Sequence, residues 1–477
     1  MDSSNAPLDI VASLWREAGA PAEALHRLSL EGHEPGLSST FRVGAVAQAT
    51  IAASALAAAQ LHHDRGGAMQ DVAVDIDHAC AEFRSEALWR VDGKPTPELW
   101  DLIAGTYRCG DGRWVRIHTN FAHHREGVLR LLGCDYDKAA VQAALSTWGA
   151  EDFETQATAR GLVVAMLRSF DEWDGHPQAA AVRAWPLWDA LRIDDAPALR
   201  WPSDGAGHDA RPLSGLRVLD LTRIIAGPVA TRALASHGAD VMTVTAPHLP
   251  SIEAVVDTGR GKRACFIDLR ETTGRDVLRE LIAACDVLVQ GYRPGALDAH
   301  GFDARELASL RPGIVVVSLS AYGHEGPWAG KRGFDSLVQT ATGFNHAEAQ
   351  AALRPGSGQA GLDVPKPLPC QALDHGTGFL MAFAAMMTLR RQRREGGSWL
   401  VRLSLAQTAQ WLRGLGRLDD GLRAPPAPRE LPPAWLESAS SDWGTLTAVK
   451  PAARMTLTAP RYEHPSQRLG SHPPRWW

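Results

Sequence analysis

Apolar residues fall along this chain in two long runs with similar boundaries. The first, residues 43–61, is mostly alanine. It closes on His62-His63-Asp64-Arg65-Gly66-Gly67 and leads into the strand-like DVAVDI at 71–76. The second spans about 378–394, closes on a cluster of arginines and Gly396-Gly397, and leads into an alternating segment at 399–405. Each predicts an apolar helix stopped by glycine and followed by a strand. Arg390, Arg391, Arg393 and Arg394 suit the negative end of the second helix's dipole. Registered on the glycine pairs, the runs can be compared at the acid: 22 residues before Gly396 stands Asp374, and 22 residues before Gly66 stands Gly44. This pattern suggests an internal repeat whose first copy lacks an acid.

Residues 5–20 predict a short amphipathic helix carrying Ile10, Leu14 and Trp15. AGTYRC and RWVRIHT, joined by Gly110-Asp111-Gly112, predict a hairpin, with helices to about residue 185. A Pro/Gly/Asp-rich stretch at 194–213 marks a domain boundary. From Leu216 onward, Val/Ile/Leu-rich strands alternate with amphipathic helices, as in a parallel sheet covered on both faces. The expected fold class is α/β, with a Rossmann-like doubly wound large domain at 205–420 and a smaller α+β domain at 86–195. Residues 1–85 are expected to form a helical segment, and 421–477 a Pro-rich linker and wrapping tail. The first strand–helix turn, 222–228, has one glycine and no G-x-G-x-x-G, so no dinucleotide cradle is expected.

Composition removes several functions. Charged residues sum to −5 (49 basic, 54 acidic) with no basic block beyond the helix end, so neither nucleic acid nor an anionic membrane is an expected partner. Six scattered cysteines without a C-x-x-C pair resemble neither a disulfide framework nor a zinc site and suit a reducing cytoplasm. The N-terminus lacks signal-peptide character, and residues 43–61 read as a packed helix rather than a membrane span. His118, His123 and His124 cluster, but no acid or cysteine stands at ligand spacing, so no metal is expected.

Asp374 opens D-H-G-T-G immediately before the second apolar run. As an N-cap it would accept orphan N–H groups and stabilise the helix by roughly 1 kcal/mol. As a nucleophile it would use the same geometry, with Gly376 and Gly378 leaving room for a ligand and nearby N–H groups stabilising an oxyanion. The segment alone leaves both roles open.

Over 213–405 the residues resemble a known family. LSGLRVLDLTRIIAGPVATRALASHGADV, GRGKRACFIDLR, DVLVQGYRPGALDAHGF, VSLSAYGHEGPWAGKRGFD and LDHGTG…RREGG follow the order seen in class III coenzyme A transferases (CaiB/BaiF type). These include formyl-CoA and carnitine CoA-transferases, with α-methylacyl-CoA racemase as a relative. Residues 41–185 more weakly resemble the family's later half, so the chain looks rearranged or partly duplicated. The resemblance implies that Asp374 attacks an acyl-CoA thioester and that CoA then passes through an aspartyl-CoA thioester to a carboxylic acid. It further implies CoA contacts at Ile224, Ile225 and Ala226 along the thioester, at Arg260, Lys262 and Arg263 near the nucleotide, and at Arg293 and Gly295 beside the adenosine. Asp335 is counted with these positions. Acyl-CoA and a carboxylic acid are the implied substrates, with no tightly bound cofactor, and a cytoplasmic, interlocked homodimer is the implied assembly.

Some positions depart from the family. Ile225 stands where formyl-CoA transferase has glutamine, Ala299 where an arginine is usual, and residues 245–251 replace an acidic, arginine-bearing stretch. No glycine-rich loop follows the catalytic helix, which argues against formate. The racemase uses a histidine within G-H-D, whereas this chain has Gly333-Phe334-Asp335, and phenylalanine cannot exchange a proton. The two alternatives are thus a racemase-like enzyme missing one base and a non-catalytic CoA-binding or assembly protein.

Overall fold

The computed structural model describes residues 6–202, 210–353 and 364–476. Seven strands form its central sheet: β1 (Asp189–Asp194), β2 (Arg217–Leu221), β3 (Asp240–Thr245), β4 (Lys262–Phe266), β5 (Val287–Gln290), β6 (Val315–Ser320) and β7 (Ser398–Ser404). They lie in the order β4-β3-β2-β5-β6-β7-β1. All pairings are parallel except that of β1, which runs antiparallel to β7 at the edge. The continuous apolar strands are buried on both faces, as their composition predicts. The strand order reverses between β2 and β5, and there the connecting loops part to leave a crevice at the strands' carboxyl ends.

Four helices position the site: α1 (Val43–Asp64), α2 (Ala226–Ser236), α3 (Asp335–Ala341) and α4 (Ala372–Glu395). α4 packs between α1 and α2. α1 is long and apolar enough to cross a membrane, yet it is buried inside the protein from Val43 to Leu61. Both copies of the repeat keep one order of elements. After α1 come Gly66 in the left-handed region, a strand at Val72–Asp75 and a helix at Ile76–Glu82; after α4 come left-handed Gly396 and Gly397, β7 and a helix at Leu405–Gly414.

α4 begins at Ala372, about six residues before the start the sequence suggests. Gly376 and Gly378, expected to leave room for a ligand, both serve helix packing. A Cβ on Gly376 would lie 3.3 Å from Val46 of α1, and one on Gly378 would lie 2.6 Å from the Ala226 carbonyl oxygen of α2. The glycines thus bring two helices close and do not clear space for a ligand, correcting the role expected for them.

The expected boundaries also shift. The small unit is a three-stranded sheet (Gly105–Arg108, Trp114–Ile117, Val164–Met166) with helices packed on it. Residues 189–194, assigned to it from sequence, instead supply β1 of the large sheet. Part of the expected linker, 203–209, lies outside the described residues. Within 1–85, the strand at Val72–Asp75 pairs with Ala453–Met455, so this segment and the tail share a sheet. The tail's strand Gly444–Val449 pairs with Arg90–Val91, which explains how it holds to the body without a core of its own.

Candidate functional site

A cavity of about 480 Å³ opens over the β2/β5 reversal. The loops after β2, β5 and β6 and the start of α4 line one side, and Phe121, His123, His124 and Val163 of the small unit close the other. One chain supplies both walls.

Asp374 lies on this cavity, in the first turn of α4 and 6% exposed. It is not the helix cap: Gln371 holds that position and makes no side-chain capping bond. Among the described residues the Asp374 carboxylate accepts no hydrogen bond, whereas its backbone N–H donates to Asp335 Oδ2 at 2.8 Å. Asp335, fully buried, also accepts from the Gln339 side chain and the Leu373 backbone, so it caps α4 from outside. This corrects its assignment as a CoA contact, because Asp335 does not line the cavity.

The two carboxyls compete for one negative charge. Burial raises Asp335 to about 6, against the hydrogen bonds that favour its ionised form. Burial, then Asp335, then Glu86 push Asp374 well above the ordinary carboxylate range. Among the described residues three donors face Asp335 and none faces the Asp374 carboxyl, which favours the charge on Asp335.

The turn expected to follow the thioester borders Asp374. Ile224, Ile225 and Ala226 all line the cavity, and Ile224 has φ +79°. A β-branched residue rarely adopts the left-handed region, and such strain concentrates at functional sites. Arg293 lies on the cavity rim, while Gly295 is an open left-handed turn just outside it.

The expected basic segment does not reach the cavity. Arg260 is buried against Asp257 (2.5 Å) and Glu437 (2.9 Å), donates to the Val449 carbonyl and lies over the Tyr462 ring. Lys262 bonds Asp220 at 3.0 Å and the Pro228 carbonyl at 2.8 Å, and Arg263 pairs with Asp240. Each charge is held by a buried or half-buried carboxylate, so a nucleotide subsite at these three residues is not supported. Lys262 lines a void of about 40 Å³ together with Arg223 and Ile224.

The cavity instead gathers Arg293 with two arginines that the sequence does not single out, Arg223 and Arg332. Arg223, Arg293 and Arg332 line it, and none pairs with a carboxylate among the described residues. Arg223 donates to the Pro250 carbonyl at 2.9 Å, and Arg332 Nη1 lies 3.1 Å from His124 Nε2. Burial lowers the pKa of Arg223, and Arg332 is lowered by burial and by repulsion from Arg293 and Arg223. Burial first, then neighbouring positive charge, pushes His124 down to about 3, so it is neutral. Arg223 and Arg332 stood inside the quoted motifs TRIIAGP and GKRGFD, but only their lack of partners distinguishes them. Phe334, in the histidine's place of G-H-D, lines the cavity and stacks on His118 at 4.1 Å. His118 is itself buried off the cavity and pushed to about 3 by burial, so it does not restore the missing base.

Residues 213–430 match the family model described as CoA-transferase family III. This segment of the chain is similar to that family. It is 28% identical over 451 residues to the acetyl-coenzyme A transferase nodX of Hypoxylon pulicicidum, covering 84% of this chain and 74% of that protein. It is also 28% identical to an acyl-CoA transferase of Gibberella moniliformis, over 78% of this chain and 70% of that protein. The solved structure of Rv3272 from Mycobacterium tuberculosis is 29% identical with a TM-score of 0.38, covering 43% of this chain and 56% of that one. The family model takes in less than half of the chain, so the 84% alignment carries the fungal similarity beyond residues 213–430.

Proposed function

We propose that this chain is a CoA transferase, moving CoA from an acyl-CoA to a carboxylic acid through Asp374. The carrying observation is a carboxylate on the cavity surface with no capping or hydrogen-bonding duty of its own. Once ionised, an Asp374 oxygen attacks the thioester carbonyl, the C–S bond breaks and CoA leaves as thiolate. The thiolate attacks the Asp374 carbonyl of the mixed anhydride, releasing the first acid and forming aspartyl-CoA. An incoming carboxylate reverses both steps, restoring the Asp374 carboxylate. The arginines at 223, 293 and 332 form the phosphate-binding rim, because unpaired guanidinium groups make strong charge-assisted bonds to phosphate.

The racemase reading has no observation in its favour, since Phe334 occupies the base's place. A non-catalytic CoA-binding protein is the remaining alternative. The test is mass spectrometry of the protein during incubation with a panel of acyl-CoAs, quenched with hydroxylamine or borohydride. Modification at Asp374 that is lost in Asp374→Asn is expected. CoA binding with no modification from any donor would favour the non-catalytic reading.

A further inference from the structure

The first turn of α4 is gripped from two sides by carboxylates of other elements. On one side Asp335 takes the Asp374 N–H. On the other, Glu86 Oε2 lies 2.8 Å from His375 Nε2, across 289 positions of sequence. Glu86 sits in the turn Ser85–Ala87, directly after the acid-free copy of the repeat. It is 5% exposed, and His375 is wholly buried with its ring against Phe83 at 5.4 Å. The turn is itself tied down, because Ser85 Oγ donates to Asp257 at 2.7 Å in the large domain.

We propose that Glu86, contributed by the N-terminal half, is a positioning residue for Asp374: it clamps His375 and the turn of α4 beside it, and places a second negative charge behind the cavity. The inference rests on the reading of Asp374 as the reacting group. A helix without its own cap frays at its first turn, and the reacting carboxylate lies in that turn. Glu86 and Asp335 replace the missing cap with two anchors of fixed position. Their charges also explain the raised Asp374 proton affinity, for which Glu86 is the third cause after burial and Asp335. The other ionisable groups facing this turn are His375, Cys370 with Cys80 and Arg84 on the thiol side, Arg116 beside Asp335, and Asp257, which feels the His375 charge.

The test separates this idea from the nucleophile itself. Dicyclohexylcarbodiimide labels buried carboxyl groups only when they are protonated, so peptide mapping across a pH series reports the Asp374 proton without any turnover. Glu86→Gln removes one negative neighbour, and the labelling midpoint of Asp374 should move to lower pH, with several-fold less label at neutral pH. Transfer should fall by roughly tenfold to a hundredfold, the cost of loosening a reacting group's placement. Glu86→Asp keeps the charge but withdraws the clamp, so its midpoint should stay near wild type while transfer still drops. That variant carries the test if Glu86→Gln does not fold. A folded Glu86→Gln protein with an unmoved midpoint, or Glu86→Asp with wild-type transfer, overturns the proposal. Loss of transfer in Asp374→Asn bears on the nucleophile alone.

Discussion

α1 and α4 are two versions of one helix, packed against each other and followed by the same glycine stop, strand and second helix. Their amino ends have opposite fates. At α1, Glu34 folds over the helix start and accepts the Ala45 N–H at 2.5 Å, and a Cβ on Gly44 would lie 3.1 Å from Glu34 Oε2 and 3.2 Å from the Gly36 nitrogen. At α4 the equivalent position holds Asp374, its capping is done by Asp335, and the side chain faces a cavity. A helix start can be satisfied from within its own neighbourhood or left open for chemistry. In this protein both starts are capped by a carboxylate from outside the helix, and the acid stands where the space beside it is a cavity rather than Glu34 and Gly36.

Exchanging the two positions gives the largest expected effect. Asp374→Asn should reduce transfer by roughly three orders of magnitude or more, as for other deleted nucleophiles. Adding Gly44→Asp to that variant should restore nothing, because position 44 faces Glu34 and Gly36 rather than a cavity. Recovery in a transfer assay would show the two ends to be equivalent.

The next effect concerns what holds the copies together. Asp257 joins Ser85 of the first half to Arg232 and Arg260 of the second, all buried. Asp257→Ala should destabilise the protein by about 3–5 kcal/mol, because it takes the nearest carboxylate from two buried guanidinium groups. Against burial, those arginines hold Asp257 down to about 2 in the folded protein. Its stabilisation is therefore present above the ordinary carboxylate pKa and lost as pH falls through about 2. Acid denaturation followed by circular dichroism should show this loss in wild type and not in the variant.

A smaller effect separates the cavity's arginines from the buried ones. Arg223→Ala and Arg293→Ala should each weaken CoA binding by about tenfold, less so at high salt, as expected for exposed phosphate contacts. Isothermal titration at two ionic strengths measures this, and equal affinity in both variants would remove the phosphate rim. The smallest effect is on stability. Asp374 is raised on folding, so its contribution is present at low pH and lost as pH rises from the ordinary carboxylate value through the folded one. Asp374→Asn should consequently melt no lower than wild type at neutral pH, and above it if the strain is large. A clear drop in melting temperature would indicate a structural role for the acid.

Local pattern determined much of this protein. The helices at residues 7–17 and 43–64, the hairpin near 110, the alternation of strands and helices after residue 216 and the repeat with its unequal acid all follow from periodicity, glycine stops and strand composition, which act over a few neighbouring residues. The motifs that carry the family resemblance were also legible, and with them Asp374, the 224–226 turn and Arg293. What the tertiary structure decided is which charges are free. Arg260, Lys262 and Arg263 read as a basic loop in sequence, yet each meets a carboxylate that the fold brings to it: Asp257 three residues away, and Asp220 and Asp240 from neighbouring strands. Arg223 and Arg332 look no different in the chain and end without such partners. The glycines beside Asp374 likewise answer to helices distant in sequence, and Asp335 and Glu86 reach its turn from 39 and 289 positions away. Pairing and burial depend on approach through space, and a linear pattern carries no record of which distant carboxylate a given cation will meet.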